Sequence, residues 1–234
     1  MTYLELCQRL RQEVGVSGTG PTAVTSQTGE LKRLVDWVAS SYTEIQNRHE
    51  EWRWLRVGFS VDTVADDDSY AYGDCTDDLT SAAITRFTRW RFNDQFDTPK
   101  IYLTSAGSGT QNRLIFLPWD SFATIYRLGQ QTSGYPAHIT IDPQDNMVLG
   151  PKPNDVYTIN ADYFRSAQEL ASDSEVPEMP SQYHMLIVYR AIMDYGLFES
   201  AAEVIERAEL KGSRLMRQLE KNQLPKMRIG APMA

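Results

Sequence analysis

The sequence has little of the chemistry on which disulfide-rich folds and the common zinc sites depend. Its 234 residues include two cysteines and three histidines. Two cysteines cannot form a disulfide framework, and Cys7 and Cys75 form no Cys-x-x-Cys pair that could hold zinc. None of His49, His138 and His184 has a second ligand at metal-binding spacing. We therefore expect reduced thiols, no bound metal and no cofactor.

Long apolar runs are also missing. No run approaches the roughly 18 residues needed to cross a bilayer. The first residues have neither the basic region nor the apolar stretch of a signal peptide. The expectation is a soluble protein with no membrane partner, which stays in the compartment where it is made.

Positive charge is in the minority. Lys and Arg number 23 against 31 Asp and Glu, which gives a formal net charge of -8. Tight binding to the phosphates of nucleic acid needs a basic face, so this balance disfavours a protein that grips DNA. It does not disfavour a protein through which DNA merely passes.

Residues that build a core are plentiful. The chain is 41% hydrophobic and contains 5 Trp, 12 Tyr and 8 Phe. A disordered chain lacks this apolar and aromatic content. The length suits one large domain or two small lobes.

The two ends of the chain have the periodicity of helices. Thr2 and Glu5 form a capping box that begins a short first helix. Apolar spacing predicts a long amphipathic helix over 29–54 and a last helix over 200–222. Residues 185–193 are apolar on nearly every side, which predicts the buried central helix of a bundle.

The middle of the chain has the period of strands. Residues 56–64 and 156–164 alternate apolar with polar side chains, and short apolar runs lie between them. We interpret the later strands as an antiparallel meander with one solvent-facing side. The order of elements predicts an α+β fold with three parts. These are a helical bundle of residues 1–55 and 177–222, an inserted antiparallel β lobe of residues 56–176, and an extended C-terminal tail of residues 223–234.

The strongest charge pattern is acidic. Seven aspartates lie between residues 62 and 78, and no Lys or Arg occurs from 57 to 85. The EF-hand spacing is absent, so a calcium site is the weaker interpretation and a solvated acidic loop the stronger. Such a loop would repel DNA phosphates from a channel wall, or pair with arginines of a neighbouring subunit. The candidate charged residues are Asp66, Asp67, Asp68, Arg86, Arg89 and Arg91.

A series of short motifs, taken in order, resembles the head-to-tail adaptor proteins of tailed bacteriophages. In the first quarter the motifs are Leu4-x-Leu6 to Leu10-Arg11, Gly18-Thr19-Gly20-Pro21, Leu34-Val35-Asp36-Trp37-Val38 and Trp52-x-Trp54-Leu55-Arg56. In the second half they are Gly150-Pro151-x-Pro153, Tyr157 through Tyr163, Ser172-Asp173-Ser174-x-Val176-Pro177-x-Met179-Pro180 and Tyr189-Arg190-Ala191. The resemblance covers most of the chain, and the block from 62 to 136 matches least.

This resemblance implies a non-enzymatic structural protein of the virion, made in the host cytoplasm. Such adaptors form a ring of about twelve copies beneath the portal and join it to the tail or nozzle protein. The helical half typically faces the portal, the β part faces the tail, and genomic DNA passes through without specific binding. The C-terminal segment typically lodges on the portal. By position, that role falls to Leu224, Pro225, Lys226, Met227, Arg228 and Ile229.

Two other functions remain open at this stage. A DNA-binding factor could use the cluster from Arg86 to Arg91 together with the tryptophans, with base stacking on Trp52 and Trp54. A carboxylate-based hydrolase would need two acids from the stretch 62–78, held in a pocket with separated pKa values.

Overall fold

The chain folds as two compact units, one built mainly of helices and the other mainly of strands. The computed structural model describes residues 1–92 and 98–225. One unit contains residues 1–55 and the described residues from Ala167 onward, and the other contains the described residues of the segment Arg56–Ser166. We call them the helical unit and the β unit. Their helices and sheets make the fold α+β, as predicted.

The described residues contain five α-helices. They are α1 (Tyr3–Val14), α2 (Gly29–Asn47), α3 (Trp119–Tyr126), α4 (His184–Phe198) and α5 (Ala202–Gln223). In the helical unit α4 packs against α1, α2 and α5. Its sequence is apolar around most of its circumference because it has neighbours on several sides.

The predicted start of α1 is confirmed, whereas the predicted end of α2 is wrong. The Thr2 hydroxyl accepts from the Glu5 backbone N–H, the Glu5 carboxylate accepts from the Thr2 N–H, and Gly15 closes α1 in the left-handed conformation. Helix α2 ends at Asn47, before the predicted residue 54. The indole N–H of Trp52 donates to the carbonyl of Gln46 at 2.9 Å. A side chain thus satisfies a carbonyl that a longer helix would have used.

The helical unit includes ten residues that the sequence analysis assigned to the β lobe. After Ser166 the chain runs across the helices, where the amide N–H of Gln168 donates to the Gln46 side chain at 2.8 Å. The Tyr42 hydroxyl donates to the Gln168 side chain at 2.9 Å. The compact β unit accordingly ends at Ser166, ahead of the residue-176 boundary placed by sequence.

The described residues of the β unit form ten short strands in two sheets. The strands are β1 (Arg56–Asp62), β2 (Ser69–Tyr70), β3 (Thr76–Asp77), β4 (Arg89–Trp90), β5 (Lys100–Leu103), β6 (Asn112–Arg113), β7 (Ile115–Phe116), β8 (His138–Ile141), β9 (Met147–Gly150) and β10 (Tyr157–Phe164). One sheet has the order β3-β1-β10-β5-β6, with β4 also paired to β10. The other has the order β2-β9-β8-β7.

Long-range pairing replaces the predicted meander. Strands β8 and β9 form an antiparallel pair in one sheet, but β10 pairs with β1 in the other. β7 is parallel to β8. The alternation of β1 is confirmed, because Val57, Phe59 and Val61 are buried and the residues between them are less so. Residues of both sheets share one hydrophobic core, which contains Phe59 and Ile139.

None of the helices in the described parts of the chain is long and apolar enough to cross a membrane.

Candidate interaction surfaces

The acidic turn, Asp66–Asp68, lies between β1 and β2 and is tied to the β unit by its own hydrogen bonds. The Ser133 hydroxyl donates to the Asp66 carboxylate. The Asp66 amide N–H donates to the carbonyl of Pro153 at 2.8 Å. Lys152 lies 3.9 Å from the Asp68 carboxylate. The first two aspartates of the turn are exposed and the third is half-buried, so the turn presents negative charge on a fixed backbone.

Asp77 departs from the predicted solvated loop, because it is 4% exposed. Its Oδ1 accepts from the backbone N–H groups of Leu79 at 2.7 Å and Thr80 at 2.9 Å. Its Oδ2 accepts from the Tyr163 hydroxyl at 2.5 Å. Burial opposes the charge, but the Tyr163 hydroxyl and the two amides outweigh it and hold the pKa of Asp77 below its usual range. Asp77 therefore fastens the loop after β3 to strand β10.

A polar cleft of about 360 Å³ lies beside this loop. Its lining residues are Arg56, Asp78, Arg91, Thr98, Lys100, Gln111, Asn160, Ala161 and Asp162. Burial, followed by the charges of Asp77 and Asp162, raises the pKa of Asp78 above its usual range. Asp162 accepts from Arg56 Nε at 2.7 Å and lies 3.6 Å from Arg91. One of the two carboxylates is thus engaged by two arginines, which makes it a poor partner for general acid–base chemistry with Asp78.

The three candidate arginines line up along the end of β10 and are half-buried. Arg86 donates to the carbonyl of Ser166 at 3.2 Å from Nε and at 2.6 Å from an Nη atom. The Arg89 guanidinium lies 4.9 Å from the centre of the Phe164 ring, and Arg91 pairs with Asp162. These side chains hold the end of the sheet together, which is a structural use of positive charge.

The tryptophans offered for base stacking lie inside the helical unit. Trp52 is fully buried. It stacks on Trp54 with ring centres 4.5 Å apart, and His49 meets it edge-on at 5.0 Å. The buried ring of Trp52 cannot take a base on its face, and one face of the half-buried Trp54 is covered by Trp52. The geometry therefore does not favour base stacking on this pair.

The histidines have structural partners. His49 hydrogen-bonds the Glu220 carboxylate at 3.1 Å, and His138 the Tyr126 hydroxyl at 2.7 Å. His184 is buried, and this burial lowers its pKa below the usual value. Among residues 1–92 and 98–225 no group of three His, Cys, Asp or Glu side chains is placed to hold a metal ion.

The C-terminal end of α5 is where the candidate tail begins. Leu224 leaves the helix with an extended backbone, and its N–H donates to the carbonyl of Glu220 at 3.0 Å. Leu224 and Pro225 border a cavity of about 890 Å³ together with Arg53 and Tyr183. The other four tail candidates, Lys226, Met227, Arg228 and Ile229, lie outside the described residues.

Comparison with known proteins identifies the family of the chain. Residues 1–231 match the family described as SU10 adaptor protein. The chain belongs to this family of phage head-to-tail adaptors. Membership indicates a structural protein of the virion, from a family that is generally non-enzymatic and interacts with portal and tail proteins. No curated protein matches the chain.

The adaptor also presents two surfaces that sequence analysis did not identify, both on the helical unit. One is a pair of exposed apolar residues at the end of α4, Leu197 and Phe198. The other is a methionine-lined groove between α2, α4 and α5. The apolar periodicity of the helices did not predict either surface. It predicts that apolar residues are buried, but it does not show where a neighbouring helix is missing.

Proposed function

We propose that this adaptor forms a homo-oligomeric ring that joins the portal of the filled capsid to the tail or nozzle, at the neck of the virion. The observation that carries the proposal is the family match over residues 1–231. A closed ring, of about twelve copies as in similar adaptors, repeats each weak contact many times. The assembled neck is then stable although each single contact need not be.

The helical unit, in this proposal, faces the portal and delivers the C-terminal segment to it. The segment from Leu224 onward begins with an extended backbone, includes Pro225 and Pro232, and contains no Asp or Glu. An extended segment binds through its main chain and through alternate side chains in pockets. Leu224–Ile229 supplies three apolar and two basic side chains for that purpose.

The β unit faces the tail in the same proposal, and its acids help DNA to pass. Residues 56–166 contain fourteen Asp, no Glu and nine Lys or Arg. An acidic wall repels the phosphate backbone, so DNA slides past without being retained. Of the candidate charges, Asp66 and Asp67 are exposed and suit this role.

Electron microscopy of the purified adaptor with purified portal tests the assembly. The proposal predicts one adaptor ring on each portal, with no catalytic requirement and no effect of a metal chelator. An adaptor that remains monomeric and never joins the portal would overturn it.

A truncation tests the tail. A variant that ends at Gln223 keeps all of α5, so we expect an unchanged circular dichroism spectrum and at least tenfold weaker portal binding. The matched control ends at Ile229 and loses only residues 230–234, and it should bind as the full chain does. Equal binding by the variant that ends at Gln223 would assign portal attachment to another surface.

A DNA retention assay tests the remaining alternative. Protein that passes DNA should show weak affinity for duplex DNA at moderate salt. A DNA-binding factor would bind tightly at low salt and lose affinity steeply as salt rises.

A further inference from the structure

Helices α4 and α5 form a rigid antiparallel hairpin. A Cβ atom placed on Gly196 would lie 2.6 Å from the Ile205 side chain, and one on Gly212 would lie 3.5 Å from Tyr189. Both glycines are buried, and neither has a positive φ. Gly196 is needed because the two helices approach closely there, whereas a Cβ atom on Gly212 would make an ordinary van der Waals contact. The two ends of the hairpin are therefore held at a fixed separation.

The end at which α4 passes into α5 exposes apolar side chains among acids. We call Leu197, Phe198, Glu199 and Glu203 the corner. Leu197 is 69% exposed and Phe198 is 53% exposed. Phe198 is nevertheless held in place, because Trp37 lies 5.8 Å from its ring centre and the Arg33 guanidinium lies 4.4 Å from it. Exposed apolar side chains held in one conformation lose little entropy when a partner covers them.

The other end of the hairpin borders a groove. Two adjoining cavities of about 340 and 390 Å³ share Arg48, Arg190 and Met216. The remaining apolar lining comes from Ile45, Leu186 and Met193. Methionine adapts its shape to an incoming apolar side chain. We call this surface the groove.

Charge differs between the two halves of α5. Residues 202–210, next to the corner, contain three Glu and one Arg, whereas residues 211–223, next to the groove, contain four Lys or Arg and one Glu. That one acid, Glu220, lies 3.3 Å from Arg48, and Glu44 at the groove hydrogen-bonds Arg190 at 2.9 Å. Glu209 lines the groove as well, so the lining carries three Glu and three Arg. The surplus positive charge comes from the other basic residues of this half of α5, Lys211, Arg214 and Lys221. The acidic corner is thus opposite in charge to the half of α5 that borders the groove, and both surfaces carry apolar side chains.

A corner cannot enter the groove of its own chain. Met216 lies thirteen positions after Glu203 in α5, which corresponds to about 20 Å of helix. Two corners that met each other would bring their glutamates together, and like charges disfavour that pairing. We propose that this adaptor associates head to tail, with the corner of one copy inserted into the groove of the next. This inference rests on the proposed ring, and a contact of this type closes into a ring when its rotation allows.

Cysteine cross-linking tests the contact directly. The native thiols of Cys7 and Cys75 are buried, so a flexible bis-maleimide linker should react with introduced cysteines alone. We expect a covalent dimer when Leu197→Cys and Met216→Cys proteins are mixed in equal amounts on the portal. Neither protein alone should give one. The matched control pairs Met216→Cys with Leu128→Cys, a similarly exposed site in the β unit, and should give none.

The outcomes separate this inference from the ring itself. A dimer in the Leu197→Cys protein alone would indicate a symmetric corner-to-corner contact and overturn the proposal. If wild-type protein forms rings on the portal but the mixture of cysteine variants gives no cross-link, the corner-to-groove contact is wrong and the proposed ring still stands. If wild-type protein forms no ring on the portal, the proposed function fails first.

A second pair of variants tests the same contact without chemical cross-linking. Leu197→Asp places a charge on the apolar part of the corner, and Met216→Asp places one in the apolar lining of the groove. Each protein alone should therefore lose ring assembly. Mixed together they retain one intact contact and should form dimers but no ring. Rings in either variant alone would contradict the proposal, and circular dichroism establishes that both variants are folded.

Discussion

Removal of one hydroxyl group, in Tyr163→Phe, should weaken the β unit measurably. The Tyr163 hydroxyl donates to the Asp77 carboxylate at 2.5 Å, and Asp77 is 4% exposed. A hydrogen bond to a charged group contributes about 1.5–3 kcal/mol. The phenylalanine ring should keep the edge-on packing against Phe59. We therefore expect a loss of about 2 kcal/mol from the hydrogen bond alone.

The loss should depend on pH in a defined direction. The pKa of Asp77 lies below its usual value of 3.8, so its contribution to stability is complete above that value. It is lost as the pH falls through the lower pKa of the folded state. As the pH falls from 3.8 through the lower pKa of the folded state, the Asp77 carboxyl group becomes protonated, and the difference between wild type and Tyr163→Phe should shrink.

Urea denaturation from pH 7 to pH 3 measures both effects, and native-state hydrogen exchange of the β1 amides reports the β unit separately. Asp77→Asn and the double variant complete a double-mutant cycle. The double variant should be only slightly less stable than Asp77→Asn. A loss below about 0.5 kcal/mol at pH 7, or a loss that grows as the pH falls below 3.8, would refute a charged hydrogen bond at this site.

Two further predictions follow from packing. Gly150→Ala places a methyl group 2.6 Å from the Tyr126 ring and 2.8 Å from Phe122; we expect about 1–3 kcal/mol of destabilisation by overpacking in thermal melts. Gly109→Ala is the control because Gly109 has open space around it. Equal melting temperatures of the two variants would contradict overpacking at Gly150. Burial raises the pKa of the Cys7 and Cys75 thiols to about 12. Native protein at pH 8 should therefore leave a thiol reagent unreacted until urea is added, and rapid labelling without urea would show that the thiols are accessible.

Short sequence patterns were sufficient to predict the elements that depend on neighbouring residues. The capping box of α1 is set by residues three apart, and the alternation of β1 by its own side chains. The end of α2 was overpredicted because Trp52 continues the apolar spacing after the helix has ended. Periodicity records that Trp52 is buried, and it cannot distinguish a helical residue from one that folds back onto the helix end.

The sequence pattern did not predict which distant segments pair with each other. Strand β10 looked like a continuation of β8 and β9, but its partner β1 lies about a hundred residues earlier. Asp77 looked like its neighbours in the acidic stretch, and its burial depends on a hydroxyl 86 residues away. The charge pattern therefore identified an acidic region correctly and failed to identify the buried member within it.

The composition of the acids carries a consequence for the proposed channel. All fourteen acids of residues 56–166 are Asp, whose short side chain reaches nearby backbone N–H groups in turns. Asp142 accepts from the amides of Gln144 at 2.8 Å and Asn146 at 2.9 Å, and Asp77 from two amides likewise. Part of the negative charge of the β unit therefore builds turns. In the proposed function, the exposed carboxylates would act on DNA, among them that of Asp67, which also accepts from the amide of Ser69 at 3.3 Å. Their neutralisation should then alter DNA passage with less effect on folding than the loss of Asp77 or Asp142.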